Sequence, residues 1–438
     1  MAKQTAQFMC SVCSATFPRW SGKCLNCGSW ETIEEVAGAP QTPGAVVVKR
    51  VAPTQLSSVK GGTVDRLSVG IGEVNNVLGG GIVPGSLVLL AGDPGIGKST
   101  LVLQLASQLA TTKKVLYVSG EESPGQIKLR ASRLKGVNTD FDFIASTDAD
   151  QVIAQATEGG YDLIVVDSIQ TMVSSAATSA ISTVGQITNI TARIMNVAKA
   201  THTAFIIIGH VTKEGNVAGP RVLEHLVDAV LYLEGERYGS LKVLRAIKNR
   251  FGSTNEVGIL EMTDAGLLPV DNPSAILLEE RQHLPGSVVF AAMEGSRPIL
   301  VEVQALVSPS VFGYPKRTAA GIDMNRLGLL AAVMTKRGGI NLSTSDIYVN
   351  IVGGLRIVEP AVDLAIILAI ASAYKNITLP TNLLAFGEVG LSGEVRSVSF
   401  DSRRLEEARK LGFSHALVPP PTKDKGSITK VKTIADAI

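Results

Sequence analysis

Gly92-Asp93-Pro94-Gly95-Ile96-Gly97-Lys98-Ser99, followed by Thr100, sets three glycines, a lysine and a hydroxyl at a spacing that suits a phosphate chain. The glycines let the backbone curl so that successive N–H groups converge on an anion, and a helix starting there adds its positive end. Lys98 then reaches the β- and γ-phosphates, and Ser99 offers its hydroxyl to Mg2+. Val88-Leu89-Leu90-Ala91 precedes the turn and a helical pattern of Leu101, Leu103 and Leu105 follows it. This is the strand–turn–helix context that a P-loop requires, so the chain is read as nucleotide-binding.

Carboxylates stand where such a site needs them. Residues 114–119 form a short β-branched run, hence a buried strand, ending in Gly120-Glu121-Glu122-Ser123. The carboxyl ends of parallel strands line the ligand crevice, so an acid there can polarise the water that attacks the γ-phosphate. Glu121 is placed ahead of Glu122; the plainer reading is an acid pair favoured by the start of a helix. Residues 161–168 predict a second buried strand, and Asp167 at its end suits the acid that orients Mg2+. A third strand over 204–209 leads to His210, a position suited to sensing the γ-phosphate or to a purely structural histidine. The alternating strand 241–247 runs into Lys248-Asn249-Arg250-Phe251-Gly252. Two cations two apart on extended backbone face the same way and suit a neighbour's γ-phosphate or a nucleic-acid backbone. The plainer alternative is a basic hairpin end with Phe251 packed beneath.

All four cysteines lie in the first 30 residues, as Cys10-x2-Cys13 and Cys24-x2-Cys27. Each pair sets two thiolates on one tight turn, the donor set of a tetrahedral Zn2+ site. Disulfide and redox readings fit poorly with a cytosolic chain. So small a segment has little apolar mass, and metal binding would supply its stability, with Trp20 and Trp30 expected to pack the module.

The elements that must hold these residues follow from composition and pattern. A chain of 438 residues with 45% apolar and 18% charged residues is ordinary for a globular protein with several domains. The 43 glycines suit α/β units with many tight turns. A formal net charge of +2 leaves a local basic groove open and demands none. No leader peptide is expected, and no apolar run reaches the roughly 18 residues of a membrane span, so the chain is read as cytoplasmic with no membrane partner. The expected division is a C4 ribbon over 1–35, a linker over 36–63 rich in Ala, Gly, Pro, Thr and Val, a P-loop ATPase domain over 64–268, and a second α/β domain over 269–438. An amphipathic helix should end at Gly79-Gly80-Gly81. Uncharged 168–192 and glycine-containing 213–221 are candidate polymer-contacting loops. In the second α/β domain, 276–280 and 288–293 are expected to open the unit, with strands such as 299–305 and 347–352 and helices such as 323–336 and 361–374. Lys423, Lys425, Lys430 and Lys432 read as a solvated face.

The order of motifs is specific. A four-cysteine ribbon, the P-loop, Ser119-Gly120-Glu121-Glu122-Ser123, the strand ending at Asp167, Lys248-Asn249-Arg250-Phe251-Gly252 and Gly387-Glu388-Val389-Gly390-Leu391-Ser392-Gly393-Glu394-Val395-Arg396 closely resemble the RadA (Sms) family of bacterial DNA repair proteins, over essentially the whole chain. That resemblance implies an α/β fold with a RecA-like P-loop core, an N-terminal C4 zinc ribbon and a C-terminal Lon-protease-like domain. It also implies ATP as the nucleotide, a homohexameric ring on single-stranded and branched DNA, branch migration of recombination intermediates, and the recombinase RecA as functional partner. By it, Lys98 and Ser99 bind nucleotide, Glu121 is the catalytic glutamate, Lys248 and Arg250 support hydrolysis and DNA work, and Cys10, Cys13, Cys24 and Cys27 hold Zn2+.

A working Lon-type peptidase needs a serine in its turn and a lysine further on. Here Ala361 stands in the nucleophile's place, in Glu359-Pro360-Ala361-Val362-Asp363, and Ser402 falls roughly where the lysine belongs. Alanine has no atom that attacks a carbonyl, so the domain is expected to be a retained scaffold. Lys316, Arg317, Arg326, Lys336 and Arg337 are its candidate duplex-DNA cations. The rival readings are a KaiC-like signalling ATPase with protein partners and, against Ala361 and Ser402, an ATP-dependent peptidase.

Overall fold

The computed structural model describes residues 7–10, 16–17, 20–24, 29–30, 32–36, 55, 65–175, 183–210, 220–235, 240–310, 313–423 and 426–438. Two compact units result, Met1–Thr63 and Val64–Ile438. In the first, β1 (Gln7–Cys10), β2 (Thr16–Phe17) and β3 (Ile33–Val36) form an antiparallel sheet in the order β2-β1-β3. Its apolar interior is Cys24 and Ile33 with Phe17 against them. The tryptophans do not pack it: Trp20 and Trp30 are 61% and 70% exposed. Trp20 Nε1 instead donates to the Ile33 carbonyl at 3.0 Å, and Lys23 sits over the Trp30 ring.

The second unit opens with α1 (Gly72–Leu78), which ends at Gly79 as the three glycines predict, then β4 (Leu87–Gly92), α2 (Lys98–Leu109), β5 (Val115–Ser119), α3 (Pro124–Arg133), β6 (Asp142–Ala145), α4 (Ala149–Glu158) and β7 (Leu163–Asp167). It continues through α5 (Val184–Thr201), β8 (Ala204–His210), α6 (Pro220–Leu223), β9 (Ala229–Glu234), β10 (Leu241–Asn249), β11 (Val257–Thr263) and β12 (Gly266–Pro269). The nine strands form one sheet, β12-β11-β10-β9-β4-β8-β7-β5-β6, parallel from β6 to β9 and antiparallel beyond. β4, β5 and β7 are buried throughout, hence their unbroken apolar runs. Alternate residues feed two cores: Val88 and Leu90 meet α1, α2 and α3, while Leu87 and Leu89 meet α4 and α5.

A second sheet follows. Its elements are α7 (Pro273–Leu278), β13 (Ser287–Glu294), β14 (Arg297–Pro309), β15 (Arg317–Ala320), α8 (Met324–Arg337), β16 (Ser345–Ile351), α9 (Asp363–Lys375) and β17 (Leu383–Ala385), then the ribbon β18 (Glu388–Val389) and β19 (Val395–Arg396), and finally α10 (Asp401–Lys410), β20 (His415–Val418), β21 (Ser427–Lys430) and α11 (Ile434–Ala437). The seven strands run β15-β16-β14-β13-β17-β20-β21. The predicted helix 361–374 begins two residues late, because Pro360–Val362 makes a 3-10 turn first. Lys430 closes the edge strand β21, and Lys423, Lys430 and Lys432 are exposed; Lys425 lies outside the described residues. The core of this second sheet extends across the boundary expected at 269: Val243, Val257 and Ile259 of the first sheet belong to it. Among the described residues, no helix is long and apolar enough to cross a membrane.

Candidate nucleotide site

β4 delivers the glycine turn from the middle of the first sheet. Gly97, the N-cap of α2, has φ +115, a left-handed conformation that favours glycine, and the mobile Met262 methyl lies beside it. Lys98 is 4% exposed, and its Nζ donates to the Gly92 and Asp93 carbonyls at 2.7 and 2.9 Å. Burial pulls its ammonium below the usual lysine range, against the opposing pull of Asp167, Asp93 and Glu121. The lysine therefore lies in the field of both acids singled out by the sequence.

Asp167 closes β7 and is buried, accepting from the Tyr117 hydroxyl at 2.8 Å. Tyr117 is fully buried beside the Phe141 and Phe143 rings; that burial, and then Asp167, push its phenol well above the usual range, so it stays a donor. Ser168 Oγ donates to Glu121 at 2.8 Å. Glu122 is engaged elsewhere, with Arg130 of α3 at 2.5 Å. Tyr117 and Ser168 are functional candidates that sequence reading missed. Ser99 and Asp167 are hard oxygen donors of the kind Mg2+ takes. His210 pairs with Gly92 in the β4–β8 register, which brings its backbone beside the turn.

Lys248 and Arg250 lie apart from this cluster. A bulge interrupts the β9–β10 register between Ala246 and Lys248. Both side chains reach the same turn, although Arg250 lies past the end of β10 rather than on extended backbone. Lys248 Nζ donates to the Glu224 and Val227 carbonyls at 2.6 and 2.9 Å, and Arg250 pairs with Asp228 at 3.2 Å. Burial, then the Arg250 charge, lowers the Lys248 pKa. Asp228, 3% exposed, also accepts from the Leu87 N–H at 3.1 Å, which ties the start of the P-loop strand to Arg250. Sequence reading missed this link too.

Among the cysteines, Cys24 is buried, and its N–H donates to the Ser29 carbonyl at 2.8 Å. Cys10 is described by its backbone, which pairs with Ile33. Cys13 and Cys27 lie outside the described residues, as do 176–182 and 211–219 of the two candidate loops.

In the second sheet, Ala361 is buried, its carbonyl accepting from Gly387 N–H at 2.8 Å, while Ser402 is exposed near Asp401. The polar centre beside them is an ion pair. Arg404, 1% exposed, holds both Glu359 oxygens, donates to the Ala291 carbonyl and lies between the Phe290 and Phe386 rings. Two candidate DNA cations prove to be occupied. Arg326 forks onto the buried Asp363 and reaches the Val389 carbonyl at 3.1 Å; Arg317 donates to the Lys316, Leu342 and Ser345 carbonyls. A buried carboxylate and a set of strand-end carbonyls need donors more than an open surface does. Lys316, Lys336 and Arg337 are exposed.

A parallel sheet with a P-loop at its central strand and acids at the ends of two further parallel strands, β7 and β5, defines a RecA-like P-loop ATPase. Family models agree: an "AAA domain" matches residues 53–216, a "Rubredoxin metal binding domain" 8–35, and "Subunit ChlI of Mg-chelatase" 326–422, in the Lon-protease-like part. The chain is 48% identical to the DNA repair protein RadA of Bacillus subtilis over 453 residues, covering 100% of this chain and 99% of that one. It is 46% identical to RadA of Listeria monocytogenes over 448 residues, covering 100% and 98%. The chain belongs to the RadA family of DNA repair proteins. A crystal structure of the RadB recombinase is similar to 47% of this chain and 100% of that one, with 24% identity and a TM-score of 0.38.

Proposed function

We propose that this chain is a DNA-dependent ATPase that moves along single-stranded and branched DNA and drives branch migration during recombinational repair in the cytoplasm. The observation that carries the reading is the cluster of Lys98, Asp167 and Glu121 in a member of this repair family. We assign ATP to the turn 92–100. Lys98 would hold the β- and γ-phosphates, Ser99 and Asp167 would hold Mg2+, and Glu121 would orient the attacking water. Mg2+, when bound, supplies charge neutralisation at the transferring phosphate. Tyr117 keeps Asp167 aimed, and Ser168 holds Glu121 until water and nucleotide are in place. Lys248 or Arg250 of one subunit would act on the nucleotide of the next in a homohexamer, neutralising charge that develops as the phosphate leaves.

The ribbon, with Cys10, Cys13, Cys24 and Cys27 as ligands of Zn2+, is assigned to 1–35, the linker to 36–63, the motor to 64–268 and the Lon-like domain to 269–438. The buried Cys24 on a closed turn, in a module whose described residues offer a small apolar interior, fits a metal-stabilised fold. The Lon-like domain is read as proteolytically inactive, since Ala361 lacks a nucleophile and Ser402 stands where a lysine is needed. RecA is the expected functional partner.

The test is the steady-state ATPase rate with and without single-stranded DNA. A several-fold stimulation that fades as salt rises supports the motor reading, because phosphate contacts release counterions. A rate indifferent to DNA moves the assignment to a signalling ATPase of the KaiC kind.

A further inference from the structure

The turn of the β13–β14 hairpin, Gly295 and Ser296, grips the segment that leaves Lys248-Asn249-Arg250-Phe251-Gly252. Gly295 has φ +61, and a Cβ there would overlap the Asn255 carbonyl, so the two backbones touch with nothing between them. Ser296 N–H donates to the Asn255 carbonyl at 2.7 Å, and its hydroxyl lies 3.0 Å from both Glu256 oxygens. Ion pairs flank this contact. Arg245 of β10 pairs with Glu294, which is 5% exposed, and with Glu234 at 3.2 Å. Arg297 pairs with Glu73 of α1 at 3.0 Å and donates to the Asp271 carbonyl at 2.9 Å. Val243, Val257 and Ile259 continue the second sheet's core beneath it. The other side of the segment is held by the motor: Arg66 donates to the Phe251 carbonyl at 2.6 Å, and Asn249 to the Val77 carbonyl at 3.3 Å.

We infer that this hairpin turn is a positioning element for residues 248–256, so that the Lon-like part sets the placement of Lys248 and Arg250 and thereby the rate of hydrolysis. The inference rests on the role proposed above for those two cations. It gives the Lon-like part a task within the ATPase cycle, separate from any DNA contact of its own. Gly295 and Ser296 make their contacts at Asn255 and Glu256 rather than at the turn 92–100, so nucleotide binding should be insensitive to substitutions at these two positions.

The test uses the full-length chain carrying Gly295→Ala, whose methyl no rotamer change can relieve, with Ser296→Ala as a milder variant should the first fail to fold. Hydrogen–deuterium exchange at 253–257 should quicken about ten-fold or more, with 88–100 unchanged. The kcat with DNA should fall about five-fold or more while KM for ATP stays within about two-fold. Faster exchange at 253–257 with wild-type kcat overturns the inference, as does exchange that does not change. A lower kcat accompanied by faster exchange at 88–100 marks general loosening and also overturns it. If the wild type ignores DNA, the motor reading fails separately, and the variants' kcat without DNA decides the inference.

Discussion

Lys98 is held down by two carbonyls of its own turn and left in the field of Asp167 and Glu121. Its removal should therefore abolish function without unfolding the chain: Lys98→Ala should cut ATPase activity by about 100-fold or more while the thermal midpoint stays within a few degrees. Tyr117→Phe isolates one hydrogen bond, because the ring and its packing remain. With no donor, Asp167 loses a partner at a cost of about 1–3 kcal/mol, and the Mg2+ concentration for half-maximal ATPase should rise roughly ten-fold. A magnesium titration of that variant checks this. Lys98 and Asp167 were legible because residue type and strand end coincide within a few positions. Tyr117, Ser168 and Asp228 were not, since their partners lie 50, 47 and 141 residues away and only the sheet order brings them together.

At the scale of elements, β4, β5, β7 and β8 were readable from apolar runs that a doubly covered parallel sheet produces. Ribbon packing was not, because two tryptophans in a short sequence look like core and only the structure shows both exposed. Cations misled for a related reason: sequence reports a charge but not the buried acid it serves. Arg326 is the clearest case. Arg326→Ala strands the carboxylate of Asp363, which is 0% exposed, and should destabilise the second sheet by about 2–4 kcal/mol, less than a fully buried pair because the arginine head is partly solvated. Denaturant unfolding reads this loss, and DNA affinity of the still-folded chain should hold near the wild-type value. The Lon-like cleft gives a companion expectation. Ala361→Ser, alone or with Ser402→Lys, should yield no cleavage of casein or fluorogenic peptides, because position 361 is buried whereas 402 is exposed.

At the scale of the whole molecule, the ribbon unit 1–63 is compact on its own, apart from 64–438. Cys24→Ser, or strong chelation, should melt the ribbon while the main thermal transition keeps its midpoint. Calorimetry with and without chelator separates the two, and loss of the main transition as well would contradict the independence of the units.

The strands at the open edges of the two large sheets, β12, β6, β15 and β21, have 4 residues each. β12 ends in Pro269, β6 begins with Asp142, β15 begins with Arg317 and β21 ends in Lys430. Short borders carrying proline or charge are poor templates for a foreign strand. On the reading proposed above, copies of this chain gathered on DNA would thereby be guarded against fusing into continuous sheets. Neighbours would then meet through side-chain faces, which can part and re-form as nucleotide turns over.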